Sequence, residues 1–191
     1  MTQLVFATHN ENKAKEIAAL LPEEFQVLTL SDIGFHEEIQ ETADTLEGNS
    51  LLKAKTIKEK TGYNCFADDT GLEVTALNNA PGVHSARYAG EHRSDDDNIE
   101  KLLNNLTSQA DRSARFRTVI TLILGDQIHL FEGIVNGSIH KTKKGTNGFG
   151  YDPVFEPENC GKTFAQLELN EKNKMSHRAR AFKSMVDFLK K

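Results

Sequence analysis

The chain has 191 residues, 38% of them apolar and 27% charged, which suits one domain with a proper core and excludes a disordered chain. Its formal charge of -5 argues against a nucleic-acid coat, because a polyanion partner favours a basic face. A small phosphorylated substrate stays open, since a local basic pocket and a metal can outweigh a mildly acidic surface.

The opening, Met1-Thr2-Gln3-Leu4-Val5-Phe6, has no basic n-region, and its apolar run is too short for a signal peptide or a membrane span. A cytoplasmic protein is expected. Leu4 to Ala7 reads as a buried strand, followed by the polar stretch Thr8 to Asn12. Ala14, Ile17, Ala18 and Leu21 then recur at helical spacing, the strand–loop–helix start of an α/β domain. Phe25 to Leu30 is a predicted second strand. Leu51, Leu52, Ala54 and Ile57 mark a second helix that Gly62 can end. Cys65 to Ala67 and Leu72 to Leu77 read as strands around Asp68-Asp69-Thr70-Gly71. The two cysteines, Cys65 and Cys160, have no metal-ligand spacing and read as free thiols. Ser94 with Asp97 starts a helix carrying Ile99, Leu102, Leu103 and Leu106 on one side. Phe116 to Leu124 and Ile128 to Val135, joined through Gly125-Asp126, predict an antiparallel hairpin. Ser176 caps a last helix with Phe182, Met185, Val186 and Leu189 on one face. No repeat or linker divides the chain, so residues 1–191 read as a single α/β domain: a mixed sheet with helices around it.

Four constellations can carry chemistry. Thr8-His9-Asn10-Glu11-Asn12-Lys13 precedes a helix, where backbone N–H groups attract anions and Lys13 adds a positive charge; a plain Asn cap is the alternative. Glu41, Asp68 and Asp69 could hold Mg²⁺, which needs one or two carboxylates plus phosphate oxygens and water. Asp-Asp-Thr-Gly equally suits a hairpin corner. Gly145 to Pro153 has three glycines in six residues, allowing close backbone approach, with Phe149 and Tyr151 as ring faces for a flat base; a flexible loop is the alternative. Lys172, His177 and Arg178 surround the start of the last helix, where cations oppose the helix dipole unless an anionic or carbonyl-bearing ligand is near. Asp95-Asp96-Asp97, by contrast, simply suits a helix first turn.

In order, the words Ala7-Thr8-His9-Asn10-Glu11-Asn12-Lys13, Asn49-Ser50-Leu51-Leu52-Lys53-Ala54, Ala67-Asp68-Asp69-Thr70-Gly71-Leu72, Ala80 to Tyr88, Gly148-Phe149-Gly150-Tyr151-Asp152-Pro153-Val154-Phe155 and Ser176-His177-Arg178 resemble the inosine triphosphate pyrophosphatase family. The resemblance runs from end to end. It implies an elongated mixed sheet flanked by helices, two lobes with a central nucleotide cleft, and a homodimer. The implied activity is Mg²⁺-dependent hydrolysis of ITP, dITP and XTP to monophosphate and pyrophosphate, clearing them from the nucleotide pool. Residues Thr8 to Lys13 and Thr70 would hold the phosphates, and Glu41 and Asp69 the metal. Asp69 would activate the water, with Asp68 in support. Phe149, Gly150, Tyr151 and Asp152 would enclose the base, and Lys172, His177 and Arg178 would complete the pocket; the 6-oxo group of these purines is an acceptor that backbone N–H groups, His177 and Arg178 could meet as donors. His9 stands where a small residue is frequent, Gln40 where relatives have Glu, and Thr70 for a frequent Ser. A Maf-type pyrophosphatase and a catalytically silent nucleotide sensor are the rival readings.

Overall fold

The computed structural model describes residues 2–20 and 22–191; Met1 and Leu21, both used above, lie outside them. Two compact units divide the chain. The first takes the segment ending at Asp69, Thr118–Gly133 and Arg178–Lys191; the second takes Thr70–Arg117 and Ile134–His177.

In the first unit, β1 (Thr2–Phe6) lies between β2 (Phe25–Leu28) and β3 (Cys65–Val74), parallel to both, with Val5 opposite Leu28 and Cys65. Parallel pairing requires crossovers, supplied by α1 (Glu11–Ala18) and α2 (Leu46–Thr61). Strand β2 ends earlier than predicted because Asp32 accepts both the N–H and the hydroxyl of Thr29, at 2.7 and 2.8 Å. Alternation along the strands sorts their side chains onto two faces. Leu4, Phe6 and Phe66, with Ile120 and Leu122 of β5 (Ser113–Leu124), pack on Ile17 of α1 and on Phe182 and Met185 of α5 (His177–Leu189). Val5, Ala7, Cys65, Ala67 and Ile123 pack on Ala54 and Ile57 of α2. Each large apolar side chain so buried contributes about 1.5–3 kcal/mol, which commits both faces of this sheet to helix layers.

The second unit holds the far half of β3, β4 (Pro81–Gly82), the near half of β5, the end of β6 (Gln127–Ile139) and β7 (Phe155–Pro157), with α3 (Asp95–Asn105) and the short α4 (Leu169–Lys172). Its core gathers Leu72, Ile99, Leu102, Phe116, Tyr151, Phe155 and Phe164, among others. Strand β4 runs antiparallel to β3 with Gly82 opposite Leu72. Gly71 lies so near that strand that a Cβ on it would meet Gly82 O at 2.7 Å, so the pairing requires glycine there. Ser94 caps α3 by accepting the Asp97 N–H, as its position predicts.

Among the described residues seven strands form one sheet, six in the order β2-β1-β3-β5-β6-β7 and β4 paired to β3 off that path: the mixed sheet flanked by helices that the sequence implies. One expectation is corrected. Cys65–Ala67 and Leu72–Leu77 are not two strands around a corner; Cys65–Val74 is a single ten-residue strand, and Thr75–Leu77 is a 3₁₀ turn. A strand can carry two aspartates through the interior only if each meets a cation, and here each does. Among the described residues no helix is long and apolar enough to cross a membrane.

Candidate active site

Alternation in β3 decides which helix each aspartate meets. Asp68 is in step with Phe66 and faces α1 and α5; Asp69 is in step with Cys65 and Ala67 and faces α2. Asp68 accepts from Lys13 Nζ at 3.1 Å and from Arg178 Nε at 3.2 Å, and Arg178 Nη1 also donates to Glu16. Lys13 is presented by the first turn of α1, whose cap, Asn10 Oδ1, accepts the Lys13 N–H at 3.1 Å. Burial alone would raise the Asp68 pKa, but attraction to Lys13, Arg178 and Lys53 outweighs it and holds the carboxyl well below its ordinary range. Burial lowers Lys13 despite Asp68, while the carboxylates of Glu16 and Asp68 more than offset burial for Arg178 and raise it.

On the other face, Lys53 Nζ donates to Glu41 Oε1 at 2.5 Å and lies 3.5 Å from Asp69 Oδ1. Asp69 is shifted the opposite way from Asp68: burial, with the nearby charges of Glu41 and Asp68, raises it against the pull of Lys53 and Lys13. Its second oxygen, Oδ2, is buried and has no hydrogen-bond partner among the described residues. Asn49, buried on α2, accepts the Ala43 N–H at 2.9 Å and so holds the segment that carries Glu41. Its own Nδ2 is likewise buried with no such partner. Glu41 and Asp69 thus converge on one cation, and an unused oxygen remains on Asp69. This donor set fits a hard divalent ion that takes its other ligands from phosphate and water. No group of three or more His, Cys, Asp or Glu side chains arranged for a metal occurs among the described residues.

The loop before Lys13 is partly self-satisfied. Thr8 Oγ1 accepts the Asn10 N–H at 3.1 Å, and His9 Nε2 contacts Glu37 O at 2.9 Å. Glu11 and Asn12 are exposed in the first turn of α1, and Thr70 is half-buried on β3.

In the second unit, Lys172 Nζ lies 2.6 Å from Asp152 Oδ2, both side chains being only 4% exposed. The same ammonium sits 5.0 Å from the centre of the Phe149 ring and 5.5 Å from that of Phe164. His177 is buried and stacks on Phe116 at 4.6 Å. Phe149 is half-buried. Tyr151, expected as a second ring face, is a core residue whose hydroxyl donates to Ser85 O at 2.8 Å.

Arg178, expected as a donor to the base, belongs to the first unit, is 2% exposed, and directs Nε to Asp68 and Nη1 to Glu16. Removing one partner from a buried ionic network leaves the others uncompensated, at about 3–5 kcal/mol. Arg178→Ala should therefore lower stability by about that amount in urea unfolding while leaving the preference among bases unchanged. A changed preference at wild-type stability would return Arg178 to the base.

The sequence reading gave no role to Lys53, Glu16 or Asn49. A signal was present for Lys53. Leu46, Ser50, Lys53 and Ile57 recur at the spacing of one helix face, and all four are buried, so a lysine stood at a core position. Leu51 and Leu52, used to mark that helix, are only half-buried.

Known proteins resemble this chain along nearly its whole length. The sequence profile of the Ham1 family matches residues 4–188. A dITP/XTP pyrophosphatase of Flavobacterium psychrophilum is 56% identical over 188 residues, covering 98% of this chain and 99% of that one. One of Porphyromonas gingivalis is 51% identical over 190 residues, covering 99% and 98%. Among solved structures, the Staphylococcus aureus Ham1 protein superposes with a TM-score of 0.90 at 40% identity, covering 99% of this chain and 98% of that one. A HAM1 protein from Coxiella burnetii gives 0.91 at 36%, covering 100% and 99%. The words that suggested a family in the sequence and the ionic clusters they build in the fold lead to one conclusion: the chain belongs to the Ham1 family.

Proposed function

We propose that this protein hydrolyses non-canonical purine nucleoside triphosphates, ITP, dITP and XTP, to the monophosphate and pyrophosphate. The carrying observation is Asp69: a buried carboxylate whose pKa is raised and whose Oδ2 has no hydrogen-bond partner among the described residues. Such an oxygen is suited to accept a proton from an attacking water. Lys13 and Lys53 supply positive charge for the phosphates, and Arg178 acts through Asp68, which orients Lys13. A divalent ion, Mg²⁺ in this reading, would be held by Glu41 and Asp69, where it would neutralise phosphate charge and acidify water. Phe149 takes the base, and Lys172, fixed by Asp152, presents a donor to the purine O6. The relatives, dITP/XTP pyrophosphatases by name, support the substrate class. A homodimer resident in the cytoplasm is part of the same reading, and sedimentation equilibrium tests the dimer.

Turnover of ITP should require Mg²⁺ and yield inosine monophosphate with pyrophosphate. In ¹⁸O-water the label should enter the monophosphate, because attack falls on the α-phosphorus. Orthophosphate as the first product, or undiminished turnover in EDTA, would sink the proposal.

A further inference from the structure

Phe149 stands between two glycines in the left-handed region, Gly148 at φ +76° and Gly150 at φ +60°. Glycines on both sides let the neighbouring peptide planes turn at little cost, so the direction of the ring must be set by something else. Two carboxylates set it. The Phe149 N–H donates to Asp152 Oδ2 at 2.9 Å, and the Gly150 N–H donates to Asp95 Oδ2 at 2.7 Å. These N–H groups belong to the planar peptides immediately before and after Phe149. Holding both planes fixes its φ and ψ, and with them the direction of its Cα–Cβ bond.

The two carboxylates differ in origin. Asp152 lies within the loop itself, whereas Asp95 is the first residue of α3, 55 positions away in sequence. At its other end the loop is tied through the N–H groups of Thr146 and Asn147, which donate to Ala165 O at 3.1 and 3.0 Å. The neighbours of Asp95 are engaged elsewhere: Asp96 with Lys143 at 2.5 Å and Asp97 with His92 at 2.8 Å. Three aspartates suit a helix first turn by charge alone. The bond from Asp95 to Gly150 is one that helix formation does not need.

We infer that Asp95 is a positioning residue for base recognition, its carboxylate holding the Gly150 amide so that the Phe149 ring keeps the orientation in which it meets the purine. This rests on the assignment of Phe149 to the base proposed above.

Four variants of the full chain test it. Asp95→Ala should raise KM for ITP about 3- to 10-fold with kcat changed less than about twofold, the pattern of lost ground-state and transition-state binding together. It should also speed hydrogen exchange of the Gly150 amide about tenfold. Asp95→Asn retains an acceptor oxygen and should restore most of both. Asp96→Ala removes one charge from the same first turn but no bond to Gly150, and should leave both at wild-type values. Unchanged Gly150 exchange in Asp95→Ala would overturn the inference, as would faster exchange with unchanged KM, or an Asp96→Ala that matches Asp95→Ala. Phe149→Ala separates this from the parent reading. If it alters neither KM nor the ITP-to-ATP preference, the base assignment falls and takes the inference with it, whatever the exchange data show.

Discussion

Asp69→Asn should lower kcat by about 10²–10⁴-fold while the protein still binds ITP, the loss expected when a general base is removed and the charge that would hold a metal goes with it. Asparagine keeps the shape and can still face Lys53, so the loss would be chemical and not architectural. A further expectation follows from the burial of this side chain. Its folded pKa lies above the unfolded value, so the folded state prefers it protonated. Its ionisation therefore costs stability, increasingly as pH rises from about 4 through the folded pKa, and fully above it. Asparagine carries no such cost. In EDTA the variant should melt higher than wild type at neutral pH, and the gap should close on acidification toward about pH 4. Asp68 has the opposite sign. Its pKa is depressed, so its contribution is whole above about pH 4 and is lost as pH falls below that. A variant keeping more than about a tenth of wild-type kcat would rule out Asp69 as the base; one that melts lower would rule out the cost assigned to its charge.

Discrimination between bases should be of similar size. ITP, dITP and XTP carry an acceptor at position 6, and ATP carries an amino donor there. With Arg178 Nε and Nη1 directed at Asp68 and Glu16, the donors proposed for the base in the second unit are the Lys172 ammonium, the His177 ring and backbone N–H groups. Against a 6-amino group each such donor would be left unpaired, at about 1–3 kcal/mol apiece. Two mismatches place kcat/KM for ATP about 10²–10⁴-fold below that for ITP. The expected order is ITP ≈ XTP > GTP > ATP, with little effect of the 2′-hydroxyl. Steady-state kinetics on the four nucleotides decide it, and ATP turnover within a factor of about ten of ITP would remove the 6-oxo assignment.

The fold was legible wherever periodicity and capping speak. The Asn10 and Ser94 starts, the Gly62 stop and the Gly125-Asp126 turn all stand where the sequence puts them. It was illegible where charge overrides propensity. Asp-Asp-Thr-Gly has the composition of a turn, yet Lys13, Arg178 and Lys53 make it a strand interior. Those partners lie up to 110 positions away, beyond any local pattern. The candidate site was legible in part: the words brought Lys13, Asp68 and Asp69 into view, and Glu41 entered only as a third carboxylate beside that pair. The words could not separate residues that face a ligand from residues that brace them. Arg178 and Tyr151 sit in conspicuous motifs and are buried, while Lys53, quoted in a motif but given no role, and Glu16, not singled out at all, complete the two ionic clusters.

The contact of Gly71 with the backbone of Gly82 bears on how this enzyme could drift or be evolved in the laboratory. A library randomised across residues 68–72 would be depleted in two ways. Members altered at 71 would vanish from a selection for soluble expression, because any side chain there forces β3 and β4 apart. Members with asparagine at 69 would pass that selection, and even gain in it, yet fail one for turnover. Two residues apart on a single strand, one position limits what can fold and the other what can react, so changes in specificity have to be sought on other elements.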